Sequence, residues 1–433
     1  MLERKITADL LAWKNNNDKM CLVVKGARQV GKTYIIDKFA RENYENYTYI
    51  NFDQNENYKS IFDGDFDVDT LIKQISLRVP NANLIPHKSL IFLDEIQNCP
   101  KARTALKFFA IDGRFDVIAS GSLLGINYKE TISFPVGYVE HLEMHSLDFE
   151  EFCWANGVSK QSIQDIKEYF INKKTVPTAM HEKMMELFKE YIVVGGMPRV
   201  VKEFVNTHNF ANVLKIQRGI IDDYKDDIAK YADNTKKTKA RECFLSIPKH
   251  LAKDYKKFRY NLVDPNGNAR KYEGSLMWLY DAGIINFCYN LSKPELPLEG
   301  NAKSEIFKVY MRDTGLLMAM LEDGSQEDII DGNLGIYKGA IYENIIADIF
   351  TKLNKKLYYF EHNSTIEIDF FIRYNKKATA IEVKSAENTK SKSLNTVIDK
   401  WKVEKGIKLS SKNVSSNDII DNYPLYMAIF LKD

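Results

Sequence analysis

Long apolar runs are missing from this chain. No stretch approaches the ~18 consecutive apolar residues that a membrane-spanning helix needs. Metal-ligand spacings are missing as well. The five cysteines (Cys21, Cys99, Cys153, Cys243, Cys288) are scattered and odd in number, with no C-x-x-C pair, and the seven histidines form no H-x-x-x-H pair. This excludes a zinc site and a disulfide framework and points to a reducing compartment. Met1–Ile6 lacks the apolar stretch of a secretion signal. Charge of one sign is absent too: 61 basic residues face 59 acidic ones, a net charge of +2, so only a local patch can favour nucleic acid. There is no internal repeat and no low-complexity segment. The expectation is a soluble, cytoplasmic protein without a membrane partner.

What is present is ordinary globular material, 45% apolar and 28% charged, in 433 residues. That is too long for a single core, so two to four domains are expected. From Met20 to Ser122 short β-branched runs (Cys21–Val24, Tyr47–Phe52, Leu90–Leu93, Val117–Ala119) alternate with helical patterns. Apolar on both faces, they read as buried parallel strands of an α/β sheet. Ser146 to Tyr231 reads as helical, broken at Gly195-Gly-Met-Pro198. Arg241 to Leu291 gives two helical stretches and a strand, the cadence of a winged-helix unit or of a plain bundle. After Lys303 a helix (Tyr337 to Leu353) precedes strands near 356–360, 366–372 and 378–384, and Ser410–Asn417 reads as a loop.

Gly26-Ala-Arg-Gln-Val-Gly31-Lys32-Thr33 has the spacing G-x-x-x-x-G-K-T between a strand and a helix. Glycines at those points let backbone N–H groups, including those of Gln29 and Val30, turn inward around a β-phosphate. The helix N-terminus adds its positive end. Lys32 then reaches the β/γ oxygens of ATP, and the Thr33 hydroxyl ligates Mg²⁺. Ser89–Asp94 is an apolar strand ending in Asp94-Glu95. Asp94 is placed to hold the magnesium site, and Glu95 to act as general base on the attacking water. The next strand ends in Ser120-Gly-Ser122, where Ser120, or alternatively Ser122, can sense the γ-phosphate.

Six separated segments keep one order: Gly26–Thr33, Leu93-Asp-Glu-Ile-Gln97, Ala119-Ser-Gly-Ser122, Leu147-Asp-Phe-Glu-Glu-Phe152, Gly195–Pro198 and Asp313-Thr-Gly-Leu-Leu317. Together they resemble a large group of bacterial and archaeal AAA-superfamily ATPases with a C-terminal domain of unknown function. The resemblance implies an AAA-type P-loop core over 1–145 and a helical lid over 146–235. A winged-helix-like segment over 236–300 and a restriction-endonuclease-like α/β domain over 301–433 follow. Relatives carry Gly-Arg where this chain has Gly137-Tyr138. Arg103, Arg114 and Arg199 are the substitutes available, and none is named here as an arginine finger. A second subunit or partner protein is therefore expected to supply one.

The C-terminal part has a second constellation. Asp369 in Ile366–Ile372 and Glu382-Val-Lys384 give the D…E-x-K pattern of PD-(D/E)xK nucleases. A regular hairpin centred on Asn375-Lys376 sets Asp369 directly opposite Glu382, with Cβ atoms about 4.5–5.5 Å apart on one face. Such a pair suits Mg²⁺. Lys384 falls on the side of Glu382, where it can orient a water, and Glu343 on the preceding helix is placed as a further acidic ligand. Lysines at 236–239, 253–257, 376–377 and 384–392 offer contacts to DNA phosphates, or only a solvated surface. Asp222–Asp227 reads as a solvated helix face. Two readings follow: an ATP-dependent, Mg²⁺-dependent nuclease acting on DNA, or a nucleotide-switched module that binds DNA or protein through an inactive nuclease fold.

Overall fold

A computed structural model describes residues 2–122, 137–231, 237–253, 256–332, 337–363, 365–384, 392–417 and 419–432. Two compact units emerge. One comprises Arg4–His145 with Asp281–Gly283; the other comprises the first three residues, Ser146–Tyr280 and Ile284–Asp433.

The first unit runs α1 (Ile6–Lys14), β1 (Cys21–Lys25), α2 (Lys32–Asn43), β2 (Asn46–Asn51), α3 (Val68–Arg78), β3 (Ser89–Asp94), α4 (Pro100–Asp112), β4 (Asp116–Gly121) and β5 (Val139–Glu143). The strands form one parallel sheet in the order β2-β3-β4-β1-β5. β3 is buried along its whole length, as the unbroken apolar run Leu90–Leu93 requires of a strand covered on both faces. Ile50, Phe52, Ile91 and Leu93 pack with Leu71 and Ile75 of α3 and with Ala102, Leu106 and Phe109 of α4. Burying each large apolar side chain contributes roughly 1.5–3 kcal/mol. Local signals set the helix ends: Asp67 caps α3 by accepting from the Thr70 amide, Pro100 opens α4, and left-handed Gly113 closes it. The topology brings the C-terminal ends of β1, β3 and β4 side by side, where an open α/β sheet presents its ligand site.

The second unit opens with α5 (Phe149–Ala155), α6 (Lys160–Ile171), α7 (Thr178–Val194), α8 (Pro198–Thr207) and α9 (Phe210–Tyr231), followed by α10 (Lys237–Leu251), α11 (Tyr260–Val263) and α12 (Ala269–Asp281). Next come β6 (Ile285–Leu291), β7 (Ala302–Met311), α13 (Thr314–Ala319), α14 (Ser325–Asp331), α15 (Tyr337–Lys352), β8 (Leu357–His362), β9 (Ile366–Tyr374), β10 (Lys377–Val383), α16 (Lys392–Trp401), β11 (Lys405–Ser410), β12 (Ser415–Ser416) and β13 (Ile420–Pro424). The strands make a mixed sheet, β12-β13-β11-β10-β9-β8-β6-β7. β6, from the segment read as winged-helix-like, is thus a member of the same sheet as the C-terminal strands, paired with β7 and β8.

Two motifs quoted from the sequence are tied together here. Oδ2 of Asp313 accepts from the Ser146 hydroxyl (2.8 Å) and from the Gly196 amide (2.9 Å), while Oδ1 caps α13 at Leu316 N. Asp313 is buried, so these donors offset the cost of removing its carboxylate from water.

The hairpin of β9 and β10 turns at Asn375-Lys376, both left-handed (φ 49° and 63°), as a two-residue turn needs. Its register sets Tyr374 opposite Lys377 and Phe370 opposite Ile381. Against β8, however, Ile368 faces Phe360 while Phe371 faces Tyr358. β9 therefore has one residue more than its partner, a bulge at Asp369–Phe370.

Candidate nucleotide site and the C-terminal acids

β1 enters a tight loop at Gly26. A Cβ on Gly26 would lie 2.2 Å from the Met144 carbonyl oxygen, so only glycine allows this approach. Gln29 (φ 64°) and Gly31 (φ 94°) are left-handed, which coils the loop back before α2 begins at Lys32. The loop is braced from outside as well. Arg4 donates to the carbonyl of Val30 (3.1 Å) and to that of His145 (2.7 Å).

Lys32 is buried, and its ammonium donates to the carbonyls of Gly26 (2.9 Å) and Ala27 (2.7 Å). Burial pulls its pKa down to about 8, with Glu95 and Asp94 pulling the other way. The cation thus lies inside the curve of the loop, with the two carboxylates near it.

Asp94 is the hub. Its Oδ2 accepts from the Thr33 hydroxyl (2.9 Å), the Tyr49 hydroxyl (3.0 Å) and the Asn51 amide (3.2 Å). Its Oδ1 accepts from the Ser120 hydroxyl and from the Glu95 amide (3.1 Å). Donors from α2, β2 and β4 converge on one carboxylate at the end of β3. The register explains this, since Asn51 pairs with Asp94 and β4 flanks β3 on the other side. Glu95 is left-handed (φ 53°), and its Oε2 accepts from the side-chain amide of Gln97.

The structure therefore brings together Lys32, Thr33, Asp94, Glu95 and Ser120 around the loop Gly26–Gly31. Ser120 is fully buried and its hydroxyl is spent on Asp94, whereas the Ser122 hydroxyl is buried with no partner among the described residues. Sequence reasoning missed Arg4, Tyr49, Asn51 and Gln97. Only Gln97 carried a signal, as the last residue of the segment Leu93–Gln97. Among the arginines weighed as substitutes, Arg114 is held by Asp69 and Asp112 (each 2.7 Å). The charge of Arg103 adds to burial in lowering the Lys25 and His141 pKa values. Tyr138 stacks its ring 5.3 Å from the Lys107 ammonium.

The C-terminal acids do not assemble as the pattern suggested. The bulge at Asp369–Phe370 breaks the regular alternation on which the face assignment rested. Asp369 turns toward Glu343 of α15 and accepts from the Val383 amide (2.7 Å). Glu382 shares its strand face with Ala378 and Ala380, which pack against Leu394, Val397 and Ile398 of α16. There Glu382 pairs with Lys384 (2.7 Å) and has Lys408 as its register neighbour on β11. No group of three or more acids, histidines or cysteines is arranged to hold a metal among the described residues. The expected shared site of Glu343, Asp369 and Glu382 is absent among them.

The cations near the first two acids are lysines. Glu343 accepts from Lys256 and from the Tyr310 hydroxyl (3.0 Å) and lies 3.6 Å from Lys308, itself 2.5 Å from Glu367. Burial disfavours the Glu343 charge, but Lys256 and Lys308 outweigh it and hold its pKa at about 2. Burial and the charge of Glu343 push Asp369 up to about 8.

Comparison with known proteins gives three family matches along the chain. Residues 18–153 match the AAA domain family, residues 185–327 a domain of unknown function (DUF8612), and residues 338–427 another (DUF4143). No curated protein matches the chain. Among solved structures, a Walker-type ATPase of Pyrococcus abyssi is 13% identical over 74% of this chain and 96% of its own, with a TM-score of 0.43. The Aeropyrum pernix ORC1 protein in complex with DNA is 13% identical, covering 74% and 91%, with a TM-score of 0.29. The Thermotoga maritima RuvB Holliday junction branch migration motor is 15% identical, covering 66% and 89%, with a TM-score of 0.30. The N-terminal part of this chain is an AAA-domain P-loop ATPase.

Proposed function

We propose that the chain is a Mg²⁺-dependent ATPase whose nucleotide state switches the binding of a DNA or protein partner, and that its C-terminal unit does not cut nucleic acid. The observation that carries the ATPase half is the convergence on Asp94. Thr33, Ser120, Tyr49 and Asn51 orient one carboxylate beside a phosphate-binding loop. A hydroxyl and a carboxylate 2.9 Å apart are a hard oxygen pair that fits Mg²⁺. Thr33 and Asp94 are the residues to hold it, and when bound it neutralises charge on the phosphates.

The chain's own residues do the rest. The loop Gly26–Gly31, including Gln29 and Val30, offers its amides to the β-phosphate. Lys32 leaves the carbonyls of Gly26 and Ala27 for the phosphate oxygens, exchanging two dipoles for full negative charge. Glu95 takes the proton of the attacking water. Ser120 orients Asp94, and Ser122 is the candidate contact to the γ-phosphate.

The lysines paired with Glu343 and Glu382, and the absence among the described residues of a group of acids arranged to hold a metal, favour binding over nuclease chemistry in the C-terminal unit. Incubating the protein with ATP and Mg²⁺, alone and with plasmid or linear DNA, tests both halves. Phosphate release without DNA cleavage is the expected result. Absence of hydrolysis under all conditions, or DNA cleavage lost on Asp369→Ala, refutes the corresponding half.

A further inference from the structure

β3 ends in Asp94, and the chain then makes a short 3₁₀ turn over Ile96–Asn98. The turn is entered through Glu95 in the left-handed region, a conformation costing a non-glycine residue of order 1–3 kcal/mol. Buried Ile96 fixes the turn below. The result is that Gln97, two residues on, lays its side-chain amide against the carboxylate of Glu95 and donates to Oε2. Gln97 is itself 6% exposed, and its own Oε1 has no hydrogen-bond partner among the described residues. Burying a carbonyl in that state costs about 1–3 kcal/mol. A side chain kept only to fill space would be better served by leucine or methionine, which carry no such oxygen.

We infer that Gln97 is a positioning residue for hydrolysis, holding the Glu95 carboxylate in a fixed direction so that its free oxygen meets the attacking water. The inference rests on the reading of Glu95 as the general base. Glutamate has three rotatable side-chain bonds, and a base that wanders forfeits the orientation on which proton transfer depends. A neutral amide is the suitable tether. It fixes one oxygen by hydrogen bonding, whereas a lysine or arginine in its place would favour the charged carboxylate and weaken it as a base.

The test compares Gln97→Leu, Gln97→Glu, Glu95→Gln and the double variant Glu95→Gln/Gln97→Leu. For each, kcat and KM for ATP, affinity for a fluorescent ADP analogue and the urea unfolding midpoint are measured. Gln97→Leu should lose about 10- to 100-fold in kcat, part of the ~10²–10⁴-fold that general-base catalysis supplies. Its KM and ADP-analogue affinity should stay within about twofold, and its unfolding midpoint should hold or rise because the orphaned oxygen is gone. Gln97→Glu should be as slow, since a second carboxylate repels the first. The double variant should be no slower than Glu95→Gln, because Gln97 acts through Glu95. Wild-type turnover by Gln97→Leu while Glu95→Gln is inactive overturns the inference and leaves Glu95 as the base. Joint loss of kcat, ADP-analogue affinity and unfolding midpoint in Gln97→Leu also overturns it, marking a structural role. Wild-type turnover by Glu95→Gln removes the base assignment and this inference with it.

Discussion

The hydroxyl of Thr33 donates to Oδ2 of Asp94 across 2.9 Å, although 61 residues separate them. The first residue pair of the proposed Mg²⁺ site is thus already assembled by the sheet. Asp94→Asn tests what that carboxylate does. The amide offers one accepting oxygen instead of two, so the donors on one side of the carboxylate lose their acceptor. Hydrolysis should fall by more than about 100-fold with a stability loss of about 1–2 kcal/mol. Mg²⁺ titration of phosphate release and urea unfolding check both, and a variant with full Mg²⁺-dependent turnover contradicts the assignment.

Lys32→Ala should leave the fold in place and remove nucleotide binding. The ammonium is buried, it donates to the carbonyls of Gly26 and Ala27, and its pKa is drawn down to about 8 by burial. Removing it takes away the side-chain cation on the β/γ oxygens without opening the core of the sheet. Equilibrium binding of a fluorescent ATP analogue should weaken by at least about tenfold, with the unfolding midpoint unchanged. Unchanged nucleotide affinity would contradict the role given to Lys32.

The pH dependence of stability should carry the signature of Asp369. Burial and Glu343 raise its folded-state pKa to about 8. The folded protein therefore binds more protons than the unfolded chain between about pH 4 and pH 8, and stability falls as pH rises through that window. Asp369→Asn keeps an acceptor for the Val383 amide but cannot ionise. At about pH 3 the two proteins should unfold alike. The variant should gain the advantage as pH rises past about 4, reaching at most about 5 kcal/mol by pH 9. A wild-type advantage at pH 9 in urea unfolding would show that Asp369 is held as a useful anion instead.

How much of this was legible in the residues follows from the range of each interaction. The strand, glycine loop and helix at Cys21–Asn43 and the strand ending in Asp94-Glu95 are local patterns, and they stand where periodicity put them. The hairpin turn at Asn375-Lys376 is local too. Tyr49 and Asn51 were invisible because their use depends on β2 lying next to β3, and nothing in either strand states that order. Arg4 reaches Val30 of the loop from 26 residues away in sequence and His145 from 141. The C-terminal acids failed for a subtler reason. The ladder across the hairpin keeps the expected register as far as Phe370–Ile381, but an extra residue at Asp369–Phe370 against β8 breaks the alternation of faces along β9 just beyond it.

Basal turnover should be slow and should respond to a partner. The resemblance read from the sequence leads to an arginine where Tyr138 stands, and Arg114 is engaged by Asp69 and Asp112. Steady-state phosphate release should rise with protein concentration or on adding DNA or a partner protein. Fast turnover by a demonstrated monomer, indifferent to DNA, would contradict this.

The most direct test of the central claim is Glu95→Gln, measured for ATP binding and for phosphate release in one preparation. The amide fills the same space and keeps its place beside Gln97, but it cannot accept the proton of the attacking water. ATP should bind within about threefold of the wild-type affinity, while phosphate release falls by about 10²–10⁴-fold. Phosphate release at the wild-type rate with binding intact would contradict the account.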